Sequence, residues 1–275
     1  MELNWLESLL YGIISGLTEF LPVSSLAHQA VFRTLFGWEY SAILQFFVRL
    51  GVCTAAIISN LPLIKRFIKE QRIQAIPKKR RRRQPDFGTM MEIRVLRTAT
   101  AVMLLSFFVY GFTANLYERL WLLAIFIGIN GALLYLPQYL PGANKQAQSL
   151  SGLDAALIGV GAGFGILPGI SRIAGSLYVA LVRGADRKYA VNLAFLLVIP
   201  GLIGLLIFEG IAVITSGVAI SGFLILKCVT AAVAAFFGGC WAMALVRFMA
   251  VRVGFSGFAY YCFGLALFTL ILYLI

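Results

Sequence analysis

Charged residues are scarce in this sequence. Only 12% of its 275 residues are Asp, Glu, Lys or Arg, the acidic residues number 11, and there is one histidine, His28. Soluble domains are about 25% charged and about 45–50% apolar, whereas this chain is 61% hydrophobic with a mean hydropathy of +0.91. The composition excludes an ordinary soluble domain and predicts an all-α polytopic membrane protein.

Signatures of other protein classes are also missing. The four cysteines lie in apolar runs without metal-ligand spacing, which indicates buried thiols rather than a disulfide framework. The first seven residues are acidic, so they lack the basic region of a cleavable signal peptide. The glycine-rich run 159–169 has no Walker lysine and therefore predicts close helix packing rather than a nucleotide loop.

Basic residues are concentrated in one segment. The net charge is +12, and 12 of the 23 Lys and Arg residues fall between Lys65 and Arg97. Nucleic-acid binding is not expected, because no aromatic residues are interleaved with the run 78–83. The segment instead predicts a cytoplasmic loop, because cytoplasmic loops of membrane proteins are enriched in Lys and Arg.

Six apolar segments are long enough to cross a bilayer, which takes about 20 apolar residues. They are 41–64, 95–115, 119–137, 189–210, 221–244 and 254–274, and the basic loop 65–94 lies between the first two. The polar segment 137–151 divides the chain into halves, residues 1–140 and 141–275.

Two further apolar segments, 5–32 and 153–182, are interrupted by proline and glycine. Broken backbone at membrane depth persists only where protein or water satisfies its polar groups, so both segments predict re-entrant helical hairpins. The letters L-P-V-S-S at 21–25 recur as L-P-G-I-S at 167–171. Such matching breaks predict an inverted-topology repeat with a site near the membrane midplane.

The distribution of charge gives an orientation. With the segment 65–97 placed in the cytoplasm, 18 basic residues lie inside and only Arg33 and Arg119 lie in outside loops. Both termini are then outside. The first hairpin enters from the outside and the second from the cytoplasm.

The two hairpins contain the polar groups that are costly in a membrane, and such groups commonly mark functional sites. Convergence of the hairpins would assemble Glu19, Ser24, Ser25, His28, Ser171, Arg172 and Ser176. The guanidinium of Arg172 needs an anion, and its geometry matches phosphate. Glu19 is a candidate general base or metal ligand, and either Ser25 or His28 is a candidate nucleophile or proton shuttle.

Structural roles are the alternatives. Glu19 would then form only an ion pair with Arg172 or Arg49, and His28 would be a hydrogen-bonded histidine at the membrane interface. The serines would be small residues that let helices pack closely.

Two motifs resemble the undecaprenyl pyrophosphate phosphatases, the integral-membrane bacitracin-resistance proteins. Residues 15–28 read S-G-L-T-E-F-L-P-V-S-S-L-A-H, similar to the family's E-G-L-T-E-F-L-P-V-S-S-T-G-H, and residues 168–176 read P-G-I-S-R-I-A-G-S, similar to P-G-x-S-R-S-G-A-T. The resemblance implies removal of one phosphate from undecaprenyl diphosphate, with a divalent cation (Mg²⁺ or Ca²⁺), at the bacterial inner membrane. By position, Glu19, Ser25, His28 and Arg172 match functional residues of the family.

The chain departs from the family pattern at several polar positions. Acidic positions of the family are Ser15, Gln45 and Asn192 here, and a glutamine is Arg49. Hard divalent cations prefer several carboxylate oxygens. We therefore hypothesise that Arg49 partly replaces the metal and binds the lipid phosphate together with Arg172, with Ser24, Ser171 and Ser176 as further phosphate ligands.

The leading interpretation is a polyprenyl-diphosphate phosphatase that recycles a cell-wall lipid carrier. The alternative is a non-hydrolytic carrier or flippase for polyprenyl phosphate, which the inverted repeat and the missing carboxylates favour. The expected partners are the polyprenyl lipid, the membrane and a second copy of the chain in a homodimer.

Overall fold

The chain folds into helices, as its composition predicts. The computed structural model describes residues 4–38, 41–113, 116, 119–142, 144–217, 221–252 and 254–275, and within them the only extended pairing is an isolated bridge between Lys145 and Ala185. The helices are α1 (Trp5–Phe20), α2 (Ser25–Phe36), α3 (Ala42–Ser59), α4 (Leu61–Ala75), α5 (Phe87–Leu104), α6 (Tyr110–Thr113), α7 (Leu120–Tyr135), α8 (Gly152–Gly163), α9 (Arg172–Val182), α10 (Arg187–Thr215), α11 (Gly222–Arg252) and α12 (Ser256–Leu274).

Six helical segments among the described residues are long and apolar enough to cross a membrane, which confirms the predicted all-α membrane fold. They are Ala42–Ser59, Phe87–Thr113, Leu120–Tyr139, Arg187–Thr215, Gly222–Arg252 and Ser256–Leu274. The helices α8 and α9 of the second interrupted segment are apolar but shorter.

The basic connection is shorter than predicted. The first span ends at Ser59 instead of residue 64, and α4 starts at Leu61 with Pro62 in its first turn, where a missing N–H costs nothing. Helices α4 and α5 occupy most of the predicted loop 65–94, which leaves 76–86 as the connection between them.

A carboxylate of α4 fixes that connection. Glu70 accepts hydrogen bonds from Arg83 Nη1 at 3.0 Å and from the backbone N–H of Asp86 at 2.9 Å. Both bonds favour the charged carboxylate, so Arg83 first and then Asp86 lower the pKa of Glu70. Local pairing of this kind orders a segment whose charge alone predicts a loop.

Each interrupted segment packs against a long helix from the other half of the chain. Helix α1 lies along α11, and α8 lies along α5. The α1–α11 contact is close enough to require glycine, since a Cβ at Gly12 would lie 2.2 Å from the carbonyl oxygen of Ala231. Because a helix of each half packs against the other half, the two breaks lie close together in the fold. The inverted repeat and the re-entrant path through the membrane stay predictions.

Candidate active site

The first break lies between α1 and α2, at Leu21–Ser24. Ser24 has φ 69°, the one positive φ among the described residues that are not glycine. A non-glycine residue in this conformation costs of order 1–3 kcal/mol, and such strain concentrates at functional sites. The Ser24 hydroxyl caps α2 by accepting from the N–H of Ala27 at 3.4 Å, so Ser25 is the first residue of that helix.

The second break precedes α9. Gly169 has φ +99°, a conformation that favours glycine. Ser171 then caps α9 by accepting from the N–H of Ala174 at 3.4 Å, so Arg172 is the first residue of the helix. The two motifs are therefore built alike, with a serine cap and a candidate site residue in the first turn.

Asn130 of α7 connects the two breaks directly. Its amide nitrogen donates to the carbonyl oxygen of Pro22, and its amide oxygen accepts from the N–H of Ser171, each at 2.8 Å. The side chain is fully buried. It thereby provides a hydrogen-bond partner for one backbone group at each of the two breaks.

A small cavity of about 20 Å³ lies where the breaks meet. It is lined by Glu19, Ser24, Ser25, Leu26, Arg49, Gly165, Ile170, Ser171, Arg172 and Leu205. Six of the predicted site residues therefore share one cavity. Its volume suits about one water molecule, so a diphosphate requires the lining side chains to move apart.

An ion-pair network surrounds Arg49. The Nη1 atom of Arg49 lies 3.1 Å from Glu19 Oε2, and its Nη2 atom lies 2.9 Å from Glu209 Oε1. Arg172 Nη1 is 3.8 Å from the other oxygen of Glu19. Two guanidinium groups and two carboxylates thus balance in charge within the interior.

Glu209 was not predicted as a site residue. It lies on α10 and its side chain is buried. The available signal was a carboxylate inside the predicted span 189–210, since buried ionisable groups in membrane segments usually have a partner and a function.

His28 lies outside the cavity lining. Its Nδ1 atom is 2.8 Å from the carbonyl oxygen of Ser24, and its Nε2 atom is 2.7 Å from the hydroxyl of Tyr261. A carbonyl oxygen only accepts, so in the neutral ring Nδ1 donates to Ser24 and Nε2 accepts from Tyr261. The ring also stacks parallel to Tyr261. The hydrogen bond from His28 to the Ser24 carbonyl oxygen therefore stabilises the strained turn at Ser24.

The remaining predicted residues have local roles. Ser176 donates to the backbone oxygen of Arg172 at 2.9 Å and does not line the cavity. Gln29 donates to Ser25 Oγ at 3.2 Å and to Ser15 Oγ at 3.1 Å. Ser15 therefore supports the Ser25 hydroxyl through Gln29, which the sequence did not indicate.

Asn192 belongs to another region. It lines a separate cavity and accepts from Arg247 Nε at 3.4 Å. Its distance from Leu205, which lines the Glu19 cavity, is 13 residues along α10, or about 20 Å at 1.5 Å per residue. The suggestion that Asn192 marks a carboxylate lost from the Glu19 site is therefore wrong.

A divalent cation does not fit the donor set around Glu19. Both Glu19 and Glu209 are hydrogen-bonded to one guanidinium, that of Arg49. Over the described parts of the chain, no group of three or more His, Cys, Asp or Glu side chains is placed to hold a metal. The Arg49 guanidinium occupies the position between two carboxylates that a cation would take.

Comparison with known proteins agrees with the motifs. The family model described as bacitracin resistance protein BacA matches residues 8–268. A protein of Methanococcus maripaludis strain C7 named undecaprenyl-diphosphatase is 32% identical over 96% of this chain and 99% of its own length. A protein of Carboxydothermus hydrogenoformans with the same name is 28% identical over 98% of each chain.

Proposed function

The chain belongs to the family described as bacitracin resistance protein BacA, and we propose that it is an undecaprenyl-diphosphatase. Its similarity to proteins of that name extends over nearly the whole chain and supports hydrolysis. The comparisons do not favour the non-hydrolytic carrier. The substrate is then a polyprenyl diphosphate lipid, and the products are the monophosphate lipid and inorganic phosphate.

One observation carries this proposal: Arg172, Arg49, Glu19 and Ser25 converge on one cavity at the junction of the two broken segments. Guanidinium groups bind phosphate oxygens and stabilise the charge that develops during phosphoryl transfer. A carboxylate and a hydroxyl beside them supply a base and a nucleophile.

We assign the nucleophile to Ser25, because it lines the cavity and His28 does not. The Ser25 oxygen attacks the terminal phosphorus, its proton passes to Glu19, and the bond from that phosphorus to the bridging oxygen breaks, which releases polyprenyl phosphate. Water then attacks the phosphoserine. Inorganic phosphate leaves, Ser25 Oγ regains a proton from the water, and Glu19 loses its proton to solvent.

We propose that Arg49 supplies the positive charge that, by resemblance to the family, a divalent cation would supply. Its guanidinium carries the positive charge between Glu19 and Glu209 and lines the cavity. Turning from Glu209 toward the substrate would place it on a phosphate oxygen opposite Arg172. No step of the proposed reaction requires a metal.

The orientation is also a proposal. The concentration of Lys and Arg in 65–97 supports a cytoplasmic location for the connection 76–86. Both termini and the mouth of the first hairpin are then outside. An Arg82→Cys variant would react with a membrane-impermeant maleimide in intact cells only after permeabilisation; labelling without permeabilisation would reverse the orientation. The homodimer stays a prediction.

Phosphate release from undecaprenyl diphosphate tests the function. We expect purified protein in detergent to release phosphate, and Arg172→Gln and Glu19→Gln to reduce kcat by about 100-fold or more, as loss of a transition-state contact does. Arg119→Gln is the matched control, since Arg119 is exposed at the start of α7 and does not line the cavity. Tight lipid binding without any phosphate release would refute the proposal.

A further inference from the structure

A second cavity lies at the other end of α10. Its volume is about 270 Å³, and it opens between α4, α5 and the start of α10. Tyr189 and Leu205 line the second and first cavities respectively, and they are 16 residues apart on α10, or about 24 Å. The second cavity is therefore separate from the proposed active site.

Tyr189 lines this cavity with a buried side chain. The residue is 9% exposed, and its hydroxyl has no hydrogen-bond partner. Buried hydroxyl groups nearly always have a partner, and each exception calls for an explanation. The ring is packed among buried residues of the core and the hydroxyl has almost no accessible surface, so a ligand reaches it only when the lining side chains move apart.

The cavity lining carries two basic and two acidic side chains, and both acidic ones already have a partner. Glu92 is paired with Arg66, and Asp186 accepts from the backbone N–H of Tyr189 at 2.9 Å. Lys188 also lines the cavity, and among the described residues no carboxylate lies within 4.0 Å of its ammonium group. Within the lining, the Lys188 ammonium and the Tyr189 hydroxyl therefore have no acidic partner, and the side-chain amides of Gln146 and Asn192 are further donors.

The opposite wall of the cavity is apolar. It is formed by Leu63, Phe67, Leu96, Leu193 and Leu196. The cavity also adjoins the basic helix α4, which carries Lys65, Arg66, Lys69 and Arg72. Basic pockets between membrane helices bind the head groups of anionic lipids, while neighbouring apolar side chains contact the acyl chains.

We propose that this cavity binds the phosphate head group of an anionic lipid, with Lys188 and Tyr189 as its donors. The phosphate oxygens accept from both side chains, and the leucines and Phe67 contact the start of the acyl chains. The site is distinct from the proposed phosphatase cavity and does not depend on that activity.

Native mass spectrometry of the full chain in detergent tests the proposal. The probes are dioleoyl phosphatidic acid, dioleoylglycerol (the same lipid without phosphate) and inorganic phosphate. Measurements are made in an Arg172→Gln background, which weakens phosphate binding at the first cavity, and the substitutions below separate the two cavities. We expect phosphatidic acid to bind and dioleoylglycerol not to bind. Binding of inorganic phosphate alone would assign the same donors to a free ion rather than to a lipid.

Two substitutions locate the binding. Tyr189→Phe removes only the hydroxyl, and Lys188→Gln removes the charge; each should weaken phosphatidic acid binding by about five-fold or more, the usual effect of losing a hydrogen bond to a charged group. The controls are Tyr273→Phe on α12 and Lys79→Gln in the connection 76–86, which lie outside the cavity. Unchanged affinity in both Tyr189→Phe and Lys188→Gln, or equal binding of both lipids, would overturn the proposal.

Discussion

The guanidinium of Arg49 on α3 and the carboxylate of Glu209 on α10 form a buried ion pair, with Nη2 2.9 Å from Oε1 and Nε 3.1 Å from the same oxygen. Removing one partner of such a pair leaves an uncompensated charge, whereas replacing both by apolar residues is often tolerated. The packing of α3 against α10 is therefore expected to depend on this ion pair.

Glu209→Met should lower the free energy of unfolding by about 3 kcal/mol or more, and the double variant Arg49→Met with Glu209→Met should recover most of that loss. Equilibrium unfolding in mixed micelles with a rising SDS fraction measures both. A double variant no more stable than Glu209→Met would show that the pair does not account for the stability. Glu19 keeps Arg172 as a neighbour at 3.8 Å in both variants.

Asn130→Leu should impair both stability and turnover. The substitution keeps the branched shape and the number of side-chain heavy atoms but leaves the Pro22 carbonyl and the Ser171 N–H without their partner, at about 1–3 kcal/mol for each buried group. Because Ser171 starts the helix that carries Arg172, kcat should fall as well. Melting temperature and phosphate release are compared with Asn144→Leu, an exposed asparagine. An unchanged kcat in Asn130→Leu would show that these two hydrogen bonds do not affect the geometry of the site.

The membrane spans can be predicted from the sequence because each depends on properties of its own segment. Length and apolarity alone locate all six spanning segments, and Pro22 and Pro168 mark the breaks. Helix ends depend on neighbours, so the ion pairing of Glu70 that orders the basic connection was not foreseen. Charge composition indicates where a loop lies, but not how much of it is helical.

The site was only partly predictable for the same reason. Glu19, Ser25 and Arg172 are adjacent to the breaks, so matching breaks in two halves predicted that they meet. Glu209 and Asn130 act only through tertiary contacts across the bundle, and nothing beside them in the sequence shows these contacts. Asn192 was assigned to the site by its position in a motif, although it lies 13 residues from Leu205 on the same helix, or about 20 Å along the helix axis.

His28 is expected to be a positioning residue. Tyr261→Phe preserves the ring stack and the bond from His28 to the Ser24 carbonyl, so kcat should change by less than about ten-fold, since one hydrogen bond contributes about 0.5–1.5 kcal/mol. His28→Ala also loses the Ser24 bond, so both kcat and melting temperature should fall. Loss of turnover at an unchanged melting temperature would instead give His28 a direct part in the reaction.

Arg49→Gln should convert the site into one that binds a divalent cation. In the wild-type protein the guanidinium bridges Glu19 and Glu209, so added Mg²⁺ or Ca²⁺ should leave the melting temperature unchanged, and a chelator should leave phosphate release unchanged. Without the guanidinium, two carboxylates face each other in a low-dielectric interior, where a divalent cation relieves their repulsion. The melting temperature of Arg49→Gln should therefore rise with millimolar Mg²⁺ or Ca²⁺ and fall with chelator, while Arg119→Gln, which also loses one positive charge, should show no response. A wild-type protein whose melting temperature depends on these cations would show that Arg49 does not take the place of a metal.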